Sequence, residues 1–533
     1  VSVPPVSRRA ILQAGIGLAG AAALAPTRLR AADASPSPTP TPPPPTLGPT
    51  QPPIELPTPP IIRSEAGVLS TTLTAMPATV EMNAGGPVTT WTYDGLVPAP
   101  TWEIQPGDVL RVQVINELPP LEHSDHPVDL TRPHEWTTTN LHTHGLHVSP
   151  VGNADNPFVQ IAPGETFDYE IAVPDDHSAG FYWYHPHKHG GVAQQVRAGM
   201  AGAIIVRGDL DEVPEVKAAQ EQVLILQAIE LGDDLQLLDP IPYPSKQEAF
   251  IPRTTVLYTV NGVMNPVVRM YPGQVARWRL LNAAEGKFQS VRLTGHDVHV
   301  LAWDGLTLAA PEPAQDLMMS AGNRVEVLVK AGEPGTYHLM LSPGSSQHPD
   351  VPGMTGMQHE QPVTKELLVR PIMTLIVEGS GPEMALPTAL PAFDPPMLPI
   401  VNKRVFSYTV ERTEDLEFLD FGVNGESFDP VRPPYQVTLD TAEEWTLVND
   451  ADAKLPEHAH VFHIHVNPFL VTHINGEKLD KPLWRDTFVL SGNDGDSITF
   501  VSNFTDFTGR SVHHCHVLAH EDLGMMEMFE VVS

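Results

Sequence analysis

The run His513-His514-Cys515-His516-Val517-Leu518-Ala519-His520-Glu521-Asp522, followed by Met525, holds the only cysteine of this chain. It reads His-Cys-His-x3-His-x4-Met: a soft thiolate, a histidine a short turn away and a thioether beyond. Two imidazoles, one thiolate and a weak axial thioether are the ligands a blue copper centre needs. The histidines on both sides of the cysteine are surplus to that ion and point to further metal nearby. Three more histidine clusters stand elsewhere in the chain, at His142-Thr143-His144, His185-Pro186-His187 and His460-x2-His463-x-His465. Alternate residues of a strand face the same way, so each His-x-His aims both rings at one side.

One such pair alone is weak, because exposed histidine pairs arise by chance. Here the pairs recur within an internal repeat. Asp94-Gly95, Pro100, Pro106-Gly107 and Asn116 are answered by Asn261-Gly262, Pro266, Pro272-Gly273 and Asn282, and then by Asn424-Gly425, Pro430 and Asn449. Asn116, Asn282 and Asn449 are spaced by 166 and 167 residues, about one domain. His463-Ile464-His465 stands fourteen residues after Asn449, and His296-Asp297-Val298, half erased, fourteen after Asn282. In the first unit the pair comes twenty-six residues after Asn116, which reads as a loop insertion over 119–138. Gly180 and Gly509 lead the second pair by five residues, whereas Gly335 leads to Met340-Leu341-Ser342. Units one and three therefore keep two pairs each and the middle unit none.

The elements that must hold these residues are strands. Leu110–Val114 and Ala276–Leu280 alternate, helical periodicity is weak, and the 57 prolines suit an all-β chain of sandwiches, three times over. A net charge of −33 argues against nucleic acid and anionic membrane as partners. One cysteine excludes an intrachain disulfide framework.

With these motifs in place the chain resembles the multicopper oxidases, over roughly residues 65–533. The resemblance implies three cupredoxin-like Greek-key β-sandwich or barrel domains, at 63–210, 211–380 (without copper ligands) and 381–533. It implies four copper ions. His460, Cys515 and His520 would bind the type 1 ion with Met525 axial, and His142 and His463 the type 2 ion. His144, His185, His187, His465, His514 and His516 would bind the type 3 pair, with the cluster between domains one and three. It also implies that electrons from a small reducing substrate or metal cation pass to dioxygen, which consumes protons. Glu521, next to His520, and Asp155, eleven residues after His144, match places where the family carries acids for that purpose. His147, His189 and His513 are expected beside the ligands or in solvent, and His296 and His299 in packing; His123, His126 and His134 fall in the insertion.

Ser7-Arg8-Arg9-Ala10-Ile11-Leu12 and the apolar stretch after it read as a twin-arginine export signal over 1–34. A Pro-rich spacer is expected over 35–62. The protein is then periplasmic, cell-envelope or extracellular, without stable membrane insertion, and a monomer. A phenol or aromatic amine is the favoured substrate. The rival is a cuprous, ferrous or manganous metallo-oxidase, for which Met318-Met319 and Met354, Met357 and His359 give thin support. A non-catalytic envelope scaffold of the same fold ranks below, since all twelve ligands are present. A two-domain copper nitrite reductase is excluded by the third repeat.

Overall fold

A computed structural model describes residues 53–120, 129–238, 255–343, 369–412, 419–451 and 459–533. The expected export signal, the expected spacer up to residue 52, His123, His126, Met354, Met357 and His359 lie outside the described residues.

The described residues form six sheets in three pairs. In the first pair, Pro87–Tyr93, Val68–Glu81, Val109–Asn116 and Thr166–Ala172 form one sheet. Ile61–Arg63, Thr101–Ile104, Gly202–Val206, Gly180–His185 and His142–His144 form the other. The second and third pairs each join a six-stranded to a five-stranded sheet. Each pair encloses its own apolar core, around Trp102 and Tyr184, around Trp278 and Leu280, and around Trp445 and Phe462. Alternation explains this: in Val109–Asn116, Leu110, Val112 and Val114 are buried while Arg111 and Gln113 are exposed.

The repeat marks seen in the sequence have structural jobs. Asp94-Gly95, Asn261-Gly262 and Asn424-Gly425 all take positive φ at both residues, the requirement of a tight mirror-image hairpin turn. Their side chains accept from the amides of Thr74, Ile225 and Ser407, which fixes each turn. Asn116, Asn282 and Asn449 are buried at strand ends, where their carbonyls accept from the amides of Gly164, Gly322 and Gly495. Each of these three glycines also has positive φ.

Two expectations need correction. The folded body starts before Arg63: Leu56 donates to the Val267 carbonyl, and Ile61–Arg63 pairs with Thr101–Ile104. Leu56 packs on the middle core, so apolar residues dock the end of the Pro-rich tract. His296 is also not the remnant of a ligand pair. Pairing sets His463 opposite His514, His142 opposite His185, and Arg292 opposite Met340. Arg292 therefore holds the ligand position in the middle unit, and counting from Asn282 failed because the intervening turns differ in length. His296 instead accepts from the Gly332 amide and packs on Tyr337, a packing role as expected.

Among the described residues no helix is long and apolar enough to cross a membrane.

Candidate metal centre

Two strands of the third sandwich sort their residues by parity. On His460–Ile464, Phe462 and Ile464 face the core; on Gly509–Cys515, Cys515 does so. His463, His465, His514 and His516 have the opposite parity and face the first sandwich. Parity also places His513 with Cys515, and it is buried among Tyr408, Trp445 and Phe462 with Tyr408 Oη 3.2 Å from its Nδ1. His513 is thus a buried core residue rather than a solvated one.

On the core side, Cys515 Sγ lies 3.7 Å from His460 Nδ1 and 3.6 Å from His520 Nδ1. An equilateral triangle of that edge has its centre about 2 Å from each corner, a metal–ligand bond length. His520 comes from the short helix Leu518–Asp522 and stacks on Phe421, with ring centroids 4.4 Å apart. Met525 is fully buried; its amide donates to the His520 carbonyl and its carbonyl accepts from the Cys515 amide. Eleven of the twelve expected ligands are buried, and His520 alone is partly exposed. Burial pushes the Cys515 thiol up to about 12, so holding it as thiolate needs a cation in the triangle.

On the other side, His142, His144, His185 and His187 of the first sandwich meet His463, His465, His514 and His516 of the third. Three-residue groups drawn from seven of these rings, and His144 and His463 with Asp486, bring ligand atoms within 4.8 Å of one another. His142 stacks on His465 and His144 on His463, each at 3.8 Å. His516 joins them edge-on to His144 at 4.8 Å. The Nε2 atoms of His187, His465 and His514 stand 3.0 to 3.4 Å apart. Burial lowers the pKa of all eight rings, to about 4 for His187 and His514, and neighbouring imidazoles add to this for most. The rings are neutral and keep a lone pair.

The donor set fits metal. One nitrogen of each of four rings is held from behind: His142 Nδ1 by Asp155 at 3.0 Å, His463 Nδ1 by the Asp486 carbonyl at 2.8 Å, His185 Nδ1 by the Pro186 carbonyl at 2.7 Å, and His144 Nε2 by Thr487 Oγ1 at 3.1 Å. The other nitrogen of each is buried with no hydrogen-bond partner. An unsatisfied buried polar atom costs about 1–3 kcal/mol, so several converging on one space are unfavourable unless cations fill it. A ligand ring with its far nitrogen hydrogen-bonded is the usual arrangement around bound metal.

Both expected acids lie here. Asp155 is buried against His142 and also accepts from the Thr143 amide. Glu521 is fully buried, 3.1 Å from His514 Nδ1 and 3.6 Å from His187 Nδ1, near them but out of line for a hydrogen bond. Burial pushes each carboxyl up to about 7. The sequence reading missed Asp486, bonded to the buried Arg324 of the middle sandwich and 3.6 Å from His144 Nε2. No histidine or motif stands beside Asp486 in the sequence to signal it. It also missed Glu285, which accepts from the Ala519 amide and so grips the helix carrying His520.

Among the described residues, the other histidines stay outside the cluster. His147 spans Val466 O and Asp506, tying the first sandwich to the third. His189 is buried against Leu130 O and Phe428, and His134 lies edge-on to it.

Three two-sheet sandwiches, holding a triangle of one cysteine and two histidines beside an eight-histidine cluster, define a metal-binding protein of cupredoxin-like fold. Multicopper oxidase sequence families match residues 132–211, 241–362 and 395–533. The chain is 26% identical over 445 residues to the multicopper oxidase mco of Staphylococcus haemolyticus, 83% of either protein. It is 25% identical to a laccase of Bacillus stratosphericus, across 84% of this chain and 91% of that one. The cell division protein FtsP of Dickeya dadantii is also 25% identical, across 88% and 90%. A solved multicopper oxidase of Campylobacter jejuni, described as a metallo-oxidase, superposes with a TM-score of 0.69 at 25% identity, over 90% of this chain and 96% of that one. The chain belongs to the multicopper oxidase family, a family of copper-dependent oxidoreductases.

Proposed function

We propose that this protein oxidises a phenol or aromatic amine one electron at a time, in the manner of a laccase, and reduces dioxygen to water. The convergence of six histidines on His514 and His516, the two residues that flank Cys515, carries this reading. His460, Cys515, His520 and Met525 would hold type 1 copper, His142 and His463 type 2 copper, and the other six histidines a type 3 pair. Copper bound there would supply one-electron oxidation at the first site and four-electron reduction of dioxygen at the cluster.

The chain's own residues divide the remaining work. His520 is the ligand with an exposed edge, so an aromatic donor docks against its ring, which the buried Phe421 backs. With copper bound at both places, the covalent bonds of Cys515 would provide the path that links the thiolate to His514 and His516. Phe462, Met525 and the surrounding core exclude water from the thiolate. Asp155 orients His142, and Glu521 is placed to hold and deliver protons beside His187 and His514.

A metallo-oxidase of cuprous, ferrous or manganous ions is the second reading. The net charge of −33 and the likeness to the Campylobacter jejuni metallo-oxidase favour it. Against it, Met318 and Met319 are buried in the middle sandwich and offer no surface thioether. A scaffold without activity, the reading the FtsP likeness would favour, does not account for twelve converging ligands. Oxygen uptake by the copper-loaded protein with a panel of phenols, Cu(I), Fe(II) and Mn(II) tests all three. Turnover on phenols above that on the ions supports the proposal; turnover on the ions alone supports the second reading, and uptake with none supports the scaffold.

A further inference from the structure

The middle sandwich holds no candidate ligand, yet one of its turns reaches the cluster. Gly322, Asn323 and Arg324 lie at the seam of the three sandwiches. A side-chain carbon on Gly322 would stand 3.1 Å from His516 and 3.2 Å from His144. Asn323 Nδ2 donates to the Thr487 carbonyl at 3.0 Å. Arg324 is fully buried, and its Nη1 and Nη2 donate to the two oxygens of Asp486 at 2.9 and 2.5 Å. Its Nε donates to the Phe181 carbonyl of the first sandwich at 3.1 Å. One guanidinium thus ties all three sandwiches together.

The direction of the next bond has a consequence for His144. The Thr487 hydroxyl has one hydrogen, and it goes to Asp486 Oδ1 at 2.9 Å. Thr487 Oγ1 also lies 3.1 Å from His144 Nε2, a contact it can make only as acceptor. His144 Nε2 must therefore carry the ring hydrogen. A neutral imidazole has only one, so Nδ1 keeps the lone pair, and Nδ1 is the buried ring atom without a partner. On the stacked ring of His463 the same dipeptide does the reverse: the Asp486 carbonyl takes the Nδ1 hydrogen, which frees Nε2.

We propose that Arg324, Asp486 and Thr487 are positioning residues that fix His144 as its Nε2–H tautomer and so present Nδ1 to the metal cluster. The middle sandwich, having no ligand of its own, sets the ligand atom of another's. This rests on the reading of the cluster as a copper site.

The test compares Thr487→Val, which keeps the shape and removes the acceptor, with Thr487→Ser, which keeps the hydroxyl. Full-length protein is loaded with copper. Copper per chain, the blue absorption, the electron paramagnetic resonance of type 2 copper and copper loss to a competing chelator are measured. Parent and Thr487→Ser should match. Thr487→Val should stay blue, because the Cys515 site is untouched, while the copper affinity of the cluster falls about 10–100-fold with an altered type 2 signal. Full copper retention with an unchanged signal in Thr487→Val would overturn the proposal. So would a Thr487→Ser protein as defective as Thr487→Val, which would make the effect one of packing. If Thr487→Val loses its fold, Thr487→Ala removes the same hydroxyl without branching and carries the test. A parent protein that binds no copper would overturn the copper reading and this proposal with it, an outcome distinct from a defect confined to Thr487→Val.

Discussion

Cys515 and His514 are neighbours on one strand yet serve opposite sides of it. The thiol completes a triangle with His460 and His520 inside the third sandwich, while His514 Nε2 stands 3.1 Å from His187 Nε2 of the first. The pleat of a strand alone accounts for this, since successive side chains alternate faces. Two candidate metal environments of different chemistry are thereby joined through one peptide linkage.

The axial position can be probed without disturbing the fold. Met525→Leu conserves volume in a buried site and should cost less than about 1.5 kcal/mol. Removing a weak thioether donor disfavours the oxidised ion, so the type 1 potential should rise. Redox titration of variant and parent decides this, and an unchanged or lower potential would show that Met525 is not axial.

Glu521→Gln keeps the shape of the carboxyl but cannot carry a proton between water and the cluster. Turnover should fall by about a hundredfold or more with copper content unchanged. Parental turnover with an unshifted pH profile would reduce Glu521 to a structural filler. Loss of copper would make it a support for His514 and His187.

The neighbouring carboxylate has a different task. Asp522 is buried and accepts from the amides of Gly190, Val192 and Ala193, so it caps the helix Val192–Ala198 of the first sandwich from the third. Asp522→Ala would leave these buried donors without an acceptor and should lower stability by about 2 kcal/mol. Asp522→Asn keeps one oxygen and should lose less. Thermal unfolding of the two variants checks the order, and equal losses would show that the one oxygen Asn retains does not cap the helix.

What could be read from the sequence was what the physics makes local. Parity on a strand gave the His-x-His pairs their common face, and the Asp94-Gly95, Asn261-Gly262 and Asn424-Gly425 turns carried the threefold repeat. The same parity rule, applied to His513, would have set it in the core with Cys515. Contacts that join distant segments had no such mark. Arg324 meets Asp486 from 162 residues away, and Glu285 meets Ala519 from 234. Both belong to a sandwich whose lost ligands gave no reason to look there. Register failed in the same way at Arg292, because turn lengths are free to vary between repeats while pairing is not.

Whether Cys515 binds copper and feeds the histidine cluster is decided by the visible spectrum of the copper-loaded protein and of Cys515→Ser, taken with oxygen uptake. The parent should show an intense band at about 600 nm from thiolate-to-copper charge transfer. Cys515→Ser should lose that band and all oxygen uptake on every substrate. A Cys515→Ser protein that stays blue, or that still consumes oxygen at the parental rate, would contradict the account.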